Sequence, residues 1–210
     1  MKREEKNALS RQRILEAALE EFSQKGYEGA SLTTVCAQKG LSKGMIYHYF
    51  KDKDQLYLLC VEKCFHDLGE RLRNTAKNLQ GPARQRLQDY FDARLRFLAD
   101  HPLYMGIFSD VVFRPPVGLD REIAACRRGF DELNVAVLTQ LLESQTLREG
   151  LQISVVVEDF RLYMDYFNAH YHAIYSGEGS GEDALQKHEE RCHRQLDILL
   201  YGVLGENNAK

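Results

Sequence analysis

Apolar residues recur at intervals of three and four along most of the chain, the period of a helix buried on one side. Ile14, Ala18 and Phe22 form one such stripe; Val157, Phe160, Met164, Phe167, Tyr171 and Ile174 form a second, and Leu185, His188, Cys192, Leu196, Leu199 and Val203 a third. No stretch alternates in the two-residue rhythm of a half-buried strand, so the pattern predicts an all-α protein. Breaks fall at Gly26-Tyr27, Gly40, Gly81-Pro82, His101-Pro102, Pro115-Pro116, 148–151 and 176–181, where glycine and proline interrupt the period. They leave about nine helices: a first carried by the Ile14 stripe, then 32–39, 43–50, 54–78, 83–100, 103–113, 119–147, 156–176 and 182–203.

The first three helices are short, and the joint between the second and third is the informative one. Ser31 and Ser42 stand where an N-cap is needed, since a serine hydroxyl accepts an otherwise orphaned amide of the following turn. Gly40-Leu41-Ser42 supplies a residue tolerant of left-handed backbone, an apolar plug and a cap. Two short helices joined in this way form a helix-turn-helix. Turning Ile46 and Phe50 inward against Ile14, Ala18, Phe22 and Val35 leaves Lys43, Gly44, Tyr47 and His48 facing out. A helix that enters a major groove needs small or basic residues at its N-terminal end and phosphate-binding groups on its flanks. Gly44 costs a helix about 1 kcal/mol against alanine, and close approach to a duplex explains that cost. The expected organisation is a flexible arm over 1–9, a three-helix DNA-binding domain over 10–53, and a larger helical ligand-binding and dimerisation domain over 54–210.

Residues 10–56 resemble the TetR family of regulators. The likeness lies in Arg13-Ile-Leu-Glu-Ala-Ala18, Phe22, Gly26-Tyr27, Gly40-Leu41-Ser42-Lys43-Gly44, Tyr47-His48-Tyr49-Phe50-Lys51-Asp52-Lys53 and Leu56. Cys36 stands where alanine is usual and Lys39 where a small apolar residue is usual; neither change removes a DNA contact. The resemblance implies that Ser31 and Thr33 touch phosphate, that Ser42, Lys43, Gly44 and His48 lie at or in the groove, and that Tyr47, Tyr49 and Lys53 grip the DNA backbone. Taken singly, Tyr49 also fits a core aromatic, Tyr47 a plain surface residue and Lys53 a solvated helix start. The whole segment also fits a co-regulator of the same fold that contacts a protein instead of DNA.

Composition adjusts this picture only slightly. With 210 residues and 44% hydrophobic content the chain can bury a real core. Its net charge of −3 argues against coating nucleic acid by bulk attraction. Residues 1–64 nevertheless hold 11 Lys+Arg against 9 Asp+Glu, and the remainder 17 against 22. The five cysteines, Cys36, Cys60, Cys64, Cys126 and Cys192, are scattered and suit thiols in a reducing cytosol. No apolar run reaches membrane length and the first twelve residues are polar, so a cytoplasmic protein without a membrane partner is expected. His188, Cys192 and His193, or Cys60, Cys64 and His66, have spacings a metal can use, but such small sets do not close a site and no metal or cofactor is expected. Phosphate-loop, nucleophile-elbow and zinc-protease motifs are missing, and an enzyme is not expected.

In the body the likeness is one of length and helical layout. The stripes on the last two helices suit a four-helix bundle across a two-fold axis, with Phe160, Met164, Tyr171, Leu185, His188, Cys192, Leu196, Leu199 and Val203 at the seam of a homodimer. The same stripes fit packing inside one subunit. A dimer lets two short recognition helices read a palindromic operator in double-stranded DNA. Phe91, Phe97, Tyr104, Phe108, Phe130, Tyr163, Phe167 and His170 are the candidate walls of a pocket for a small apolar or aromatic effector. Such spacing equally describes ordinary core.

Overall fold

The computed structural model describes residues 3–38, 40–175 and 182–203. Among these the chain forms nine α-helices and no strand, as the periodicity predicts. They are α1 (Arg3–Gly29), α2 (Leu32–Gln38), α3 (Lys43–Tyr49), α4 (Lys53–Ala76), α5 (Ala83–Asp100), α6 (Pro102–Phe113), α7 (Asp120–Glu143), α8 (Ile153–Tyr175) and α9 (Glu182–Val203). Lys39 and the expected break at 176–181 lie outside the described residues. The main departure is at the start: the segment expected to be a flexible arm is helical from Arg3 onward. None of the helices is long and apolar enough, among the described residues, to cross a membrane.

Two compact units divide the chain, and the division does not fall at residue 53. The first unit comprises Met1–His66 and His101–Arg127, so α6 belongs with the three short helices. Ile14, Ala18, Phe22, Val35, Ile46 and Phe50 are all buried in it, the inward set that the spacing predicts. Leu41 is buried as the plug of the turn, and Gly40 ends α2 with φ of 62°. α1 is broken at Gly26, whose φ of 67° and ψ of 176° suit a residue without a Cβ. Near this break α1 packs against α6 at very short range. A Cβ built on Gly106 would lie 2.5 Å from the carbonyl oxygen of Ser23 and 2.7 Å from its Cα, so only glycine fits there. Farther along, the Phe108 and Phe65 rings pack at 5.6 Å between centroids.

The second unit comprises Asp67–Asp100 and Arg128–Lys210. Leu87, Phe91, Leu141, Leu142, Val157, Phe160, Cys192, Leu196 and Leu200 form one buried cluster drawn from α5, α7, α8 and α9. Within it lies an ion pair. Arg94 Nε donates to Glu189 Oε2 at 2.6 Å, while the other carboxylate oxygen lies 3.2 Å from His188 Nδ1. His188 Nε2 is 2.9 Å from Asn168 Oδ1, so the network spans α5, α8 and α9. Burial alone would raise the Glu189 carboxyl, but Arg94 and His188 outweigh it and hold the group below its ordinary range.

This unit corrects the expected dimer seam. Phe160, Tyr171, Leu185, His188, Cys192 and Leu196 are buried within the single chain, and Met164 and Leu199 are half-buried against the same core. The side chain of Val203 lies outside the described residues. Helical spacing identifies an apolar face without saying what covers it; here α5 and the neighbouring helix of the same chain do. The large apolar side chains that remain exposed are others: Val155, Leu162 (52% exposed) and Tyr166 (61%) on α8, with Ile198 (57%) and Tyr201 on α9.

Because the α1–α6 contact tolerates no extra carbon, Gly106→Ala should destabilise the protein by roughly 1–3 kcal/mol, the range for overpacking. Urea unfolding followed by circular dichroism measures this, and a variant as stable as the parent would show that the helices are free to separate.

Candidate nucleic-acid interface

Local hydrogen bonds explain why α2 and α3 start where they do. Ser31 Oγ accepts the amide of Thr33 at 3.2 Å, and Ser42 Oγ accepts that of Met45 at 3.1 Å, so both serines act as the caps their positions suggest. A third group was not expected. Glu21 is fully buried on α1, and its carboxylate accepts the Ser31 amide at 3.0 Å and the Lys25 ammonium at 2.9 Å. It fastens the entry of α2 to the middle of α1.

On α3, Ile46 and Phe50 point into the core, while Lys43, Gly44, Tyr47 (56% exposed) and His48 stand on the outer side. The structure therefore gathers four of the predicted residues on one face, next to the exposed capping Ser42. Gly44 is open: a Cβ there would meet only Ser42 Oγ, at 4.0 Å. Ser31 and Thr33 are exposed at the head of α2. The remaining two are already engaged. The Tyr49 hydroxyl donates to Asn7 Oδ1 at 3.1 Å, and the His48 ring stands edge-on to the Tyr49 ring at 4.9 Å. The Lys53 ammonium lies 4.4 Å from the centroid of the Tyr27 ring and 3.4 Å from the Glu28 carbonyl oxygen.

Behind this face sits a residue that sequence reasoning missed. Asp110, buried on α6, accepts the Tyr27 amide at 2.8 Å and the Tyr57 hydroxyl at 3.0 Å, both on Oδ2. Its other oxygen faces Gly26, where an added Cβ would come within 2.6 Å. Desolvation raises the Asp110 carboxyl and outweighs the lowering effects of the Tyr27 amide, the Tyr57 hydroxyl and Arg114. The Tyr27 hydroxyl in turn donates to Asp54 in the first turn of α4, which pushes its own ionisation up to about 12. One signal existed in the sequence: Asp110 is the lone charge in the apolar helix Pro102–Phe113.

The candidate pocket residues do not form one group. Tyr104 and Phe108 belong to the first unit, where the Tyr104 ring stacks on His101 and its carbonyl accepts the Cys64 thiol. Phe91, Phe97 and Phe130 are buried in the second unit, and Tyr163 and Phe167 are half-buried there with rings stacked at 6.3 Å. His170 is corrected: it is exposed, stacked on Tyr166 at 4.0 Å, with Nδ1 on the Tyr166 carbonyl. It belongs to an outer face of α8.

A buried three-helix core with a capped, outward-facing third helix defines a helix-turn-helix domain. Comparison with known proteins gives its lineage. Residues 14–60 match the family described as bacterial regulatory proteins, tetR family. The N-terminal segment thus matches the TetR family of DNA-binding transcriptional regulators. It is 28% identical over 99 residues to the transcriptional repressor DhaR of Mycobacterium sp. strain GP1, covering 47% of this chain and 50% of that protein. It is 24% identical over 197 residues to IcaR, a negative transcriptional regulator of the biofilm operon in Staphylococcus epidermidis, covering 90% of this chain and 97% of IcaR. The fold resembles that of the regulator FadR from Bacillus subtilis, solved with stearoyl-CoA, at a TM-score of 0.64 and 18% identity, over 88% of this chain and 96% of FadR.

Asp110 gives a pair of opposite expectations. Asp110→Ala leaves the Tyr27 amide and the Tyr57 hydroxyl without their acceptor and should cost roughly 2–4 kcal/mol. Asp110→Asn keeps a carbonyl acceptor and removes the buried charge. With the folded-state pKa raised, the folded chain binds more protons than the unfolded one between 3.8 and the raised value, so stability falls as pH rises through that window. The asparagine variant lacks this fall. Its stability relative to the parent should therefore improve from pH 4 towards neutrality, as read by urea unfolding across pH; a constant difference would remove Asp110 as the titrating group.

Proposed function

We propose that the protein is a ligand-responsive transcriptional repressor that binds a palindromic operator as a homodimer and releases it when a small apolar or aromatic effector occupies the second unit. The observation that carries the DNA part is Gly44. It is an ordinary helical residue, without positive φ, and nothing in the chain crowds it, yet it costs helix stability. A surface that must come within contact distance of a groove accounts for a residue with no side chain; internal packing does not. Lys43 and Tyr47 beside it supply a charge for phosphate or base and an aromatic hydroxyl for the backbone.

Repression is supported by DhaR and IcaR, both repressors or negative regulators by name. An apolar effector is supported by the stearoyl-CoA held by the FadR structure and by Phe91, Phe97, Phe130, Tyr163 and Phe167, the five pocket candidates lying inward in the second unit. α4 runs unbroken from Lys53 to Ala76, with its start in the first unit and its end in the second. An effector that favours one position of α4 would shift the population of DNA-competent heads.

For the dimer, the exposed Leu162 and Tyr166 on α8 and Ile198 on α9 replace the stripe first expected. On α8 they are flanked by Arg161, which pairs with both Glu158 and Asp165. A face that carries both signs beside apolar residues can meet its own copy across a two-fold axis.

Gly44→Ala should raise Tm by about 2 °C, as expected for up to 1 kcal/mol in a chain of this size, and weaken operator binding on the order of tenfold. Fluorescence anisotropy with duplexes selected from a random pool reads the affinity, and Lys43→Ala and Tyr47→Ala should weaken the same complex. Equal or tighter binding by the alanine variant at 44 would reject α3 as the groove helix. Separately, Leu162→Asp with Tyr166→Asp should convert a dimer to a monomer in analytical ultracentrifugation, with helicity retained. Persistence of the dimer would place the interface elsewhere.

A further inference from the structure

α1 is longer than its core requires. From Glu5 to Arg13 every described side chain is exposed or half-buried, and the first buried one is Ile14. Helical turns that bury nothing gain little from the rest of the fold and are marginal on their own. These turns are nevertheless tied to the end of α3. Asn7 Oδ1 accepts the Tyr49 hydroxyl, and the Arg11 guanidinium lies 6.0 Å from the centroid of Phe50, the C-cap of that helix.

Charge identifies what such a segment meets. Residues 1–13 hold 5 Lys+Arg against 2 Asp+Glu, whereas residues 14–64 hold 6 against 7. The basic excess of the DNA-binding unit's N-terminal part therefore sits in this extension and not in the helix-turn-helix.

From this placement we propose that the first three turns of α1 are a second DNA-contacting element, a basic helical arm that grips the phosphate backbone beside the site read by α3. The proposal rests on the reading of α3 as the groove helix. The arm is continuous with that interface through Asn7 and Tyr49, and its charge complements phosphate. It supplies affinity and register without reading sequence, since phosphates are alike at every base pair.

Neutralising the arm tests it in the full-length protein. Lys6→Gln with Arg13→Gln should lower the slope of log affinity against log salt by about 4, since the proposed dimer presents two such arms and each loses two cations. Affinity near 0.15 M salt should fall roughly 100- to 1,000-fold, and by the same factor for the selected operator and for a random duplex. Circular dichroism and Tm confirm that the doubly substituted chain is folded. An unchanged slope, with Lys43→Ala still weakening binding, overturns the arm and leaves α3 in place. Failure of the parent itself to bind any selected duplex overturns both readings. A loss confined to the operator sequence also overturns the proposal, because it would mean base readout.

Discussion

One buried carboxylate oxygen holds the first unit in register. Gly26 turns α1 out of its helical path, and Asp110 on α6 accepts the amide of Tyr27 that follows. The same oxygen takes the Tyr57 hydroxyl from α4. Two donors from different helices thus converge on one acceptor from a third, and none of the three can shift without leaving a buried polar group unmatched, at roughly 1–3 kcal/mol for each. Tyr27 extends the network by reaching Asp54 at the start of α4. The consequence is that α6, which is distant in sequence, is an integral part of the DNA-binding unit.

That dependence marks the limit of what the sequence discloses. Elements with a local cause were legible: the caps Ser31 and Ser42, the plug Leu41, the left-handed Gly40, and the inward set from Ile14 to Phe50 all follow from spacing and side-chain chemistry within a few residues. Asp110 was not, because its partners lie 83 and 53 residues away and nothing local fixes their approach. The glycines that permit the approach, Gly26 and Gly106, look in sequence like a break and an ordinary helix residue. The arm was misread for a related reason. Charged, polar residues without an apolar stripe predict disorder, whereas helix initiated at Ile14 can propagate backwards at little cost once nucleated.

The body shows the opposite ambiguity. Periodicity located its apolar stripes correctly but assigned the inner ones to a partner, because a stripe carries no mark of its occupant. His188 and Cys192 read as seam or ligand candidates and turn out to be core members beside an ion pair. Arg94 and Glu189 bring two charges into a cluster of leucine, valine and phenylalanine, where desolvation offsets most of their attraction. An apolar pair of similar volume would serve stability as well or better. What the pair adds is selectivity: α5, α8 and α9 bring Arg94, Asn168, His188 and Glu189 together in one relative register, and slipping any helix by a turn would strand a charge.

The glycines separate into kinds. Gly40 is set by its backbone angle. Gly26 has both a positive φ and a carboxylate within reach of any Cβ, and Gly106 has the Ser23 backbone. Each of these is required by something inside the chain. Gly44 has helical backbone and open space, as Gly69, Gly129 and Gly202 do, and differs from them in its place on the outer side of α3. It sits between Lys43 and Tyr47 on the exposed side of a helix whose other side is pinned by Ile46 and Phe50. Under the proposed function that combination has a use, because a helix end bearing a lysine, a bare backbone and a tyrosine suits the shape and charge of a grooved, anionic duplex.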